Sequence, residues 1–315
     1  MDIHNRKSDL KRILLFIGFA FVLTYVIELI FVLPAAKENR TSDSILYTVL
    51  AALAMMMPAI SVVITRLVTG EGFGEHYLAP NCGRKTIRYY LMAWFVPALL
   101  ILAGAAIYFL IYSSQFDWNM SYYMEEMRKT GIKEPVEAIR DTKISQIIAG
   151  VILGPVMNIF TSFGEEWGWR GYLLPKLMKS MPLVPSVLLS GVIWGLWYIP
   201  FVIAGLNYGM DYTGYPYCGF LMMILFCVVT GIFISYVTIR TKSCIPAIVA
   251  HGAINATASA GIFFTKDGGY SLLGPSITGV VGMIPAMITA VIILLFFVRN
   301  SACIKESFCD TMSKT

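Results

Sequence analysis

Two neighbouring carboxylates, Glu165 and Glu166, close a long apolar run in the segment Phe163-Gly164-Glu165-Glu166-Trp167-Gly168-Trp169-Arg170. Ionisable side chains at membrane depth are costly and are kept where they pair or act. On a helix Glu166 and Arg170 stand four residues apart on one face, the spacing of an ion pair. Glu165 is turned by about 100° from its neighbour, so it faces a different helix and can serve as a general base for water. A second polar pair, His251 and Asn255, shares one helix face in Ala250-His251-Gly252-Ala253-Ile254-Asn255. An imidazole and an amide converging on one point can hold a water or stabilise the oxyanion of a tetrahedral intermediate. The chemistry these four groups suggest is hydrolysis in a buried site. The plainer readings are a structural Glu–Arg pair near the membrane edge and a histidine bonding between helices.

A third segment, Ser190-Gly191-Val192-Ile193-Trp194-Gly195-Leu196-Trp197-Tyr198-Ile199-Pro200, places a phenol near these groups. Pro200 has no amide hydrogen, so it should kink the helix and free the carbonyl of Leu196. Tyr198 precedes the kink and offers one hydrogen-bond donor, but it is a poor base. Taken alone, the segment reads as an aromatic packing cluster.

The elements that must position these groups are membrane helices. The chain is 57% hydrophobic and 14% charged over 315 residues, with a mean hydropathy of +0.70. Soluble domains carry about 25% charged residues. The expected fold is all-α: one polytopic membrane domain over residues 1–315, a bundle of about eight transmembrane helices. The spans read as Ile13–Leu33, Ile45–Thr65, Ile87–Tyr112, Ile144–Phe163, Leu183–Ala204, Cys218–Ile239, Ile245–Phe264 and Ile277–Val298, each near the roughly 20 residues that cross a bilayer. Sixteen of the 24 Lys and Arg fall in segments on one side, which by the positive-inside rule puts both termini in the cytoplasm. The net charge of +5 follows from these loops and gives no reason to invoke nucleic acid. The first span is too long for a signal peptide and lacks a clear cleavage site. The six cysteines are scattered without C-x-x-C and indicate neither a disulfide framework nor a cysteine metal site. Of the three histidines, His4 falls in the N-terminal tail and His76 in a loop, leaving His251 inside a span. Residues 113–143 form a charged outer segment, read as an amphipathic helix on the membrane.

Taken in order, Glu165-Glu166-Trp167-Gly168-Trp169-Arg170, Trp194-Gly195-Leu196-Trp197-Tyr198-Ile199-Pro200 and His251-Gly252-Ala253-Ile254-Asn255 resemble the motifs of the CAAX-protease and bacteriocin-processing (Abi) family of intramembrane proteases. The resemblance is strongest over residues 145–260. It implies a glutamate-dependent endopeptidase in a helical bundle, opening toward the cytosol and cutting a membrane-anchored peptide or protein. By carry-over, Glu165 activates water, Glu166 pairs with Arg170, and His251 and Asn255 orient the water or stabilise the oxyanion. The family is often labelled metalloprotease, which keeps zinc open as a cofactor. One histidine and two glutamates are a thin set for a metal that usually has three protein ligands, so no cofactor is required by the reading. Where the family pattern has histidine, this chain has Tyr198, which removes a base, metal ligand or proton shuttle.

Three functions therefore stay in play. The first is an intramembrane endopeptidase in a bilayer, read here as a prokaryotic plasma membrane. The second is a catalytically impaired relative that binds a partner membrane protein or bacteriocin-like peptide. The third is a proton-coupled carrier using Glu28, Glu165 and Glu166; the absence of a visible internal repeat speaks against it.

Overall fold

The computed structural model describes residues 3–34, 45–74, 77–129, 131 and 134–312. Helix α1 runs from Ile3 to Ile27 and continues through one π turn, Glu28–Val32. Helices α2 (Ile45–Thr69) and α3 (Ile87–Ile111) follow. The charged outer segment holds a short helix, α4 (Ser121–Lys129), and the first turns of α5 (Val136–Met157). Helix α6 (Ile159–Gly168) passes through a second π turn, Trp169–Leu173, into α7 (Leu174–Ser180). The chain then forms α8 (Leu183–Trp197), α9 (Ile199–Ile203), α10 (Tyr217–Thr241), α11 (Ile245–Thr257) and α12 (Ile284–Met312). No strand is formed among the described residues; two isolated bridges, Phe116 with Thr265 and Tyr270 with Gly274, tie loops together.

This is an all-α polytopic bundle. Among the described residues six helices are long and apolar enough to cross a bilayer, and α5 with α6–α7 makes a seventh, bent by 54°. Helix α8, at 15 residues, is the eighth apolar segment. Large apolar side chains such as Leu91, Leu99, Ile148, Ile152, Val291 and Leu295 point outward, as a lipid-facing surface requires. Inside, Phe16, Trp169, Trp194 and Trp197 are almost wholly buried and join the helices in one core.

Several expected boundaries move, and prolines account for two of them. The fourth span begins at Val136 rather than Ile144 and breaks at Asn158 instead of running straight to Phe163. Pro155 cannot donate to the carbonyl four residues back; that carbonyl, on Val151, accepts instead from the indole of Trp94 at 3.2 Å. The side-chain amide of Asn158 then donates to the Gly154 carbonyl at 3.0 Å. The fifth span, expected straight from Leu183 to Ala204, breaks at Tyr198. As the position of Pro200 predicts, the Leu196 carbonyl is left free by the helix, and it takes the hydroxyl of Tyr25 at 2.8 Å. The last span starts at Ile284, because residues 277–283 form turns rather than helix. His4, expected in the N-terminal tail, lies in helix α1; His76 lies outside the described residues.

Candidate active site

Small residues bring the polar groups within reach of one another. Helix α6 crosses α2 so closely that a Cβ on Gly164 would sit 2.5 Å from the carbonyl oxygen of Met55, and one on Gly168 would sit 2.6 Å from the Cβ of Pro58. Only hydrogen side chains allow that approach. It sets Glu165 and Glu166, which lie between the two glycines, against α8 and α11.

Glu165 is fully buried and faces α8. The indole Nε1–H of Trp194 donates to its Oε2 at 2.7 Å. The hydroxyl of Tyr198, one turn further along α8, lies 3.1 Å from both oxygens. From α11, His251 Nε2 stands 3.9 Å from Glu165 Oε1. Glu166 turns the other way: its Oε1 accepts from Arg170 Nη1 at 3.0 Å and lies 2.8 Å from His251 Nδ1. The pair forms although the π turn begins between its two members. The Arg170 guanidinium also lies over the Trp194 ring, 4.2 Å from its centroid. Trp194 therefore touches both charges of the cluster, one through its edge and the other through its face. Glu166 Oε2 and the Nε and Nη2 of Arg170 are buried without a hydrogen-bond partner, and such orphaned groups are characteristic of functional sites.

His251 is thus held between the two carboxylates. A carboxylate offers no proton, so the ring donates from Nδ1 to Glu166, and Nε2 is the nitrogen presented to Glu165. The 3.9 Å separation of Nε2 and Oε1 is too long for a direct hydrogen bond, and behind the ring Glu165 offers no surface to water.

A cavity of about 570 Å³ adjoins the cluster. Tyr198, Trp194 and His251 form its wall on this side, so that Glu165 lies directly behind them. Asn255 is exposed into the same cavity, one turn beyond His251, and makes no described hydrogen bond to Glu165, Glu166 or His251. The structure thus brings Glu165, Glu166, Arg170, Tyr198 and His251 into one bonded cluster and leaves Asn255 at its rim. The cavity's remaining walls include Glu28 and Val32 of α1, Ala51 and Met55 of α2, and Met223 and Phe226 of α10. These are the halves of the helices remote from the basic ends marked by Arg12, Arg66 and Arg240. The expected opening on the basic, cytosolic side is not what this lining gives: the cavity extends the opposite way.

Two further residues have a place in the site. In the sequence Trp194 reads as a packing aromatic, yet its four-residue spacing from Tyr198 puts both donors on one helix face. Glu28, which the sequence offers only to a carrier, lines the cavity.

Among the described residues no group of three or more His, Cys, Asp or Glu is placed to share an ion. Glu165 is engaged by Trp194 and Tyr198, and His251 Nδ1 by Glu166. This donor arrangement does not fit a zinc ion with three protein ligands.

Fold and site together define a membrane-embedded helical bundle with a buried carboxylate–histidine centre. Residues 142–257 match the family described as type II CAAX prenyl endopeptidase, Rce1-like. The matched segment holds all three motifs, and the match agrees with the family of membrane proteases that they resemble. No curated protein matches the chain.

Proposed function

We propose that the protein is an intramembrane endopeptidase that hydrolyses a membrane-anchored peptide with water activated by Glu165. The observation that carries this reading is the buried cluster of Glu165, Tyr198, His251 and Glu166 directly behind the wall of a cavity large enough for a peptide segment. With the Tyr198 hydroxyl turned aside from Glu165, a water entering from the cavity gives a proton to Glu165 as its oxygen attacks the scissile carbonyl carbon. The carbonyl oxygen becomes an oxyanion, and the Asn255 amide at the cavity rim is placed to donate to it. Collapse of the intermediate breaks the C–N bond, and the proton held by Glu165 passes to the departing nitrogen. Glu166 and Arg170 position His251 and do not touch substrate. No step is routed through a metal. With both termini in the cytoplasm, the cavity lies in the outer half of the bilayer, which favours a substrate cut away from the cytosolic face. A prenylated CAAX sequence, the substrate class in the matched family's name, is one candidate; an unmodified apolar peptide is the other.

A second reading is favoured by Tyr198, whose hydroxyl takes up acceptor capacity on both oxygens of Glu165. In that reading the protein keeps the site to bind a partner and does not turn it over.

The test is proteolysis in reconstituted vesicles, using membrane-anchored reporter peptides with and without a chelator. Cleavage that falls by roughly 10²–10⁴-fold in Glu165→Gln and survives chelation is the expected result. Cleavage that is unaffected by Glu165→Gln sinks the proposal. Cleavage seen only after Tyr198→Phe or Tyr198→His establishes the second reading.

A further inference from the structure

Glu28 has no role in the chemistry above. It sits at the start of the π turn in α1 and is 1% exposed. Neither of its oxygens has a hydrogen-bond partner among the described residues. It also lines the cavity from the wall contributed by α1, in the same space bordered by Tyr198, His251 and Asn255. A π turn inside an α-helix is a feature concentrated at functional sites. A buried carboxyl without a partner costs stability, so a purely structural role would call for a donor nearby. The charges of the catalytic cluster do not supply one: Arg170 is turned to Glu166 and lies over Trp194. The cavity is otherwise walled mostly by apolar and neutral side chains, and no Lys or Arg lines it.

We infer that Glu28 is a specificity subsite that receives an ammonium or guanidinium group of the bound peptide. A cationic side chain entering the cavity would supply the missing donor and the missing charge together. A neutral chain of the same length would leave the carboxyl unpaired, and an acidic one would add repulsion. The substrate class is therefore an apolar peptide segment with one lysine or arginine a few residues from the bond to be cut. This rests on the cavity being the peptide site of the proposed endopeptidase, but it is testable by binding alone.

The experiment measures affinity in nanodiscs for a set of fluorescent apolar peptides. Each carries a single lysine, moved one position at a time, and is paired with a norleucine and an acetyl-lysine counterpart. At one or two positions wild type should prefer lysine by roughly 10- to 100-fold, the range of one hydrogen bond to a charged group. Glu165→Gln should keep the preference and Glu28→Gln should lose it. Equal affinity of wild type for the three peptides at every position overturns the inference without needing any variant. So does a lysine preference that persists in Glu28→Gln. Cleavage of the same peptides is followed in parallel. Preference without cleavage leaves this inference standing and removes the endopeptidase, and cleavage without preference does the reverse.

Discussion

Arg170→Met probes the ion pair that holds the site together. The side chains of Arg170 and Glu166 are both 0% exposed and meet at 3.0 Å, so the discount for solvent-exposed pairs does not apply. Removing one partner of such a pair strands the other charge and costs about 3–5 kcal/mol. Arg170→Met should therefore destabilise by that amount, and Glu166→Gln, which strands Arg170, by a similar one. In Glu166→Gln the amide oxygen still accepts from His251 Nδ1, so that bond is not part of the difference. The stacking of Arg170 over Trp194 is lost in Arg170→Met whether or not Glu166 is present, so it cancels in the cycle. The double variant removes both charges at once and should cost less than the two single costs added together. The expected coupling is at least about 2 kcal/mol, within the range for residues in direct contact. Reversible denaturation by dodecyl sulfate in bicelles, applied to all four proteins, gives the cycle. Single costs that add within about 0.5 kcal/mol would show that the two groups do not act as a buried charge pair.

Other expectations follow from the same contacts. Trp194→Phe keeps an aromatic face under Arg170 but removes the donor 2.7 Å from Glu165 Oε2; stability should fall by about 1–3 kcal/mol in the same denaturation assay, and turnover should fall with it. Gly164→Ala puts a Cβ 2.5 Å from a backbone oxygen and 2.8 Å from the Cα of Met56, so overpacking should cost about 1–3 kcal/mol, whereas the same change at Gly18, with open space around it, should cost far less. At the basic end, burial pushes the Glu71 carboxyl up, but Lys176, the Tyr172 hydroxyl at 2.8 Å and Arg66 outweigh it and hold it below the ordinary carboxylate value. A depressed folded value stabilises the fold above the unfolded value of about 4.3, and that contribution is lost as pH falls through the folded value. Stability measured against pH should drop on acidification below about pH 4, and Glu71→Gln should flatten that part of the curve; an unchanged slope would remove Glu71 from the account.

Much of this architecture can be read from the residues alone. The apolar runs give the helices, because a bilayer leaves a chain little other choice, and the i, i+4 spacing of Glu166 and Arg170 gives their pair. The breaks are legible in kind but not in place. Pro200 announces a kink, yet only the fold shows that Tyr25, far away in sequence, caps the freed carbonyl of Leu196. The bend at Asn158 depends on Pro155 together with a tryptophan from α3. At the site, the ring nitrogen nearer to each glutamate follows from how α11 is rotated against α6, which a one-dimensional pattern does not encode. The direction of the cavity is hidden for a related reason: charge distribution orients the helices, but where space opens between them depends on side-chain volumes from seven helices at once.

The close crossing of α6 and α2 separates a fixed part of the bundle from a movable one. With Met55, Met56 and Pro58 pressed against Gly164 and Gly168, the helix bearing both glutamates has no slack to rotate or slide. On the proposed reading, a peptide is then admitted by displacement of the wall contributed by α1, which departs from regular α-helix at Glu28–Val32. If the proposed chemistry holds, the molecule works like a vice with one anchored jaw: the groups assigned to bond breaking stay still, and the side assigned to reading the incoming chain is the side that gives way.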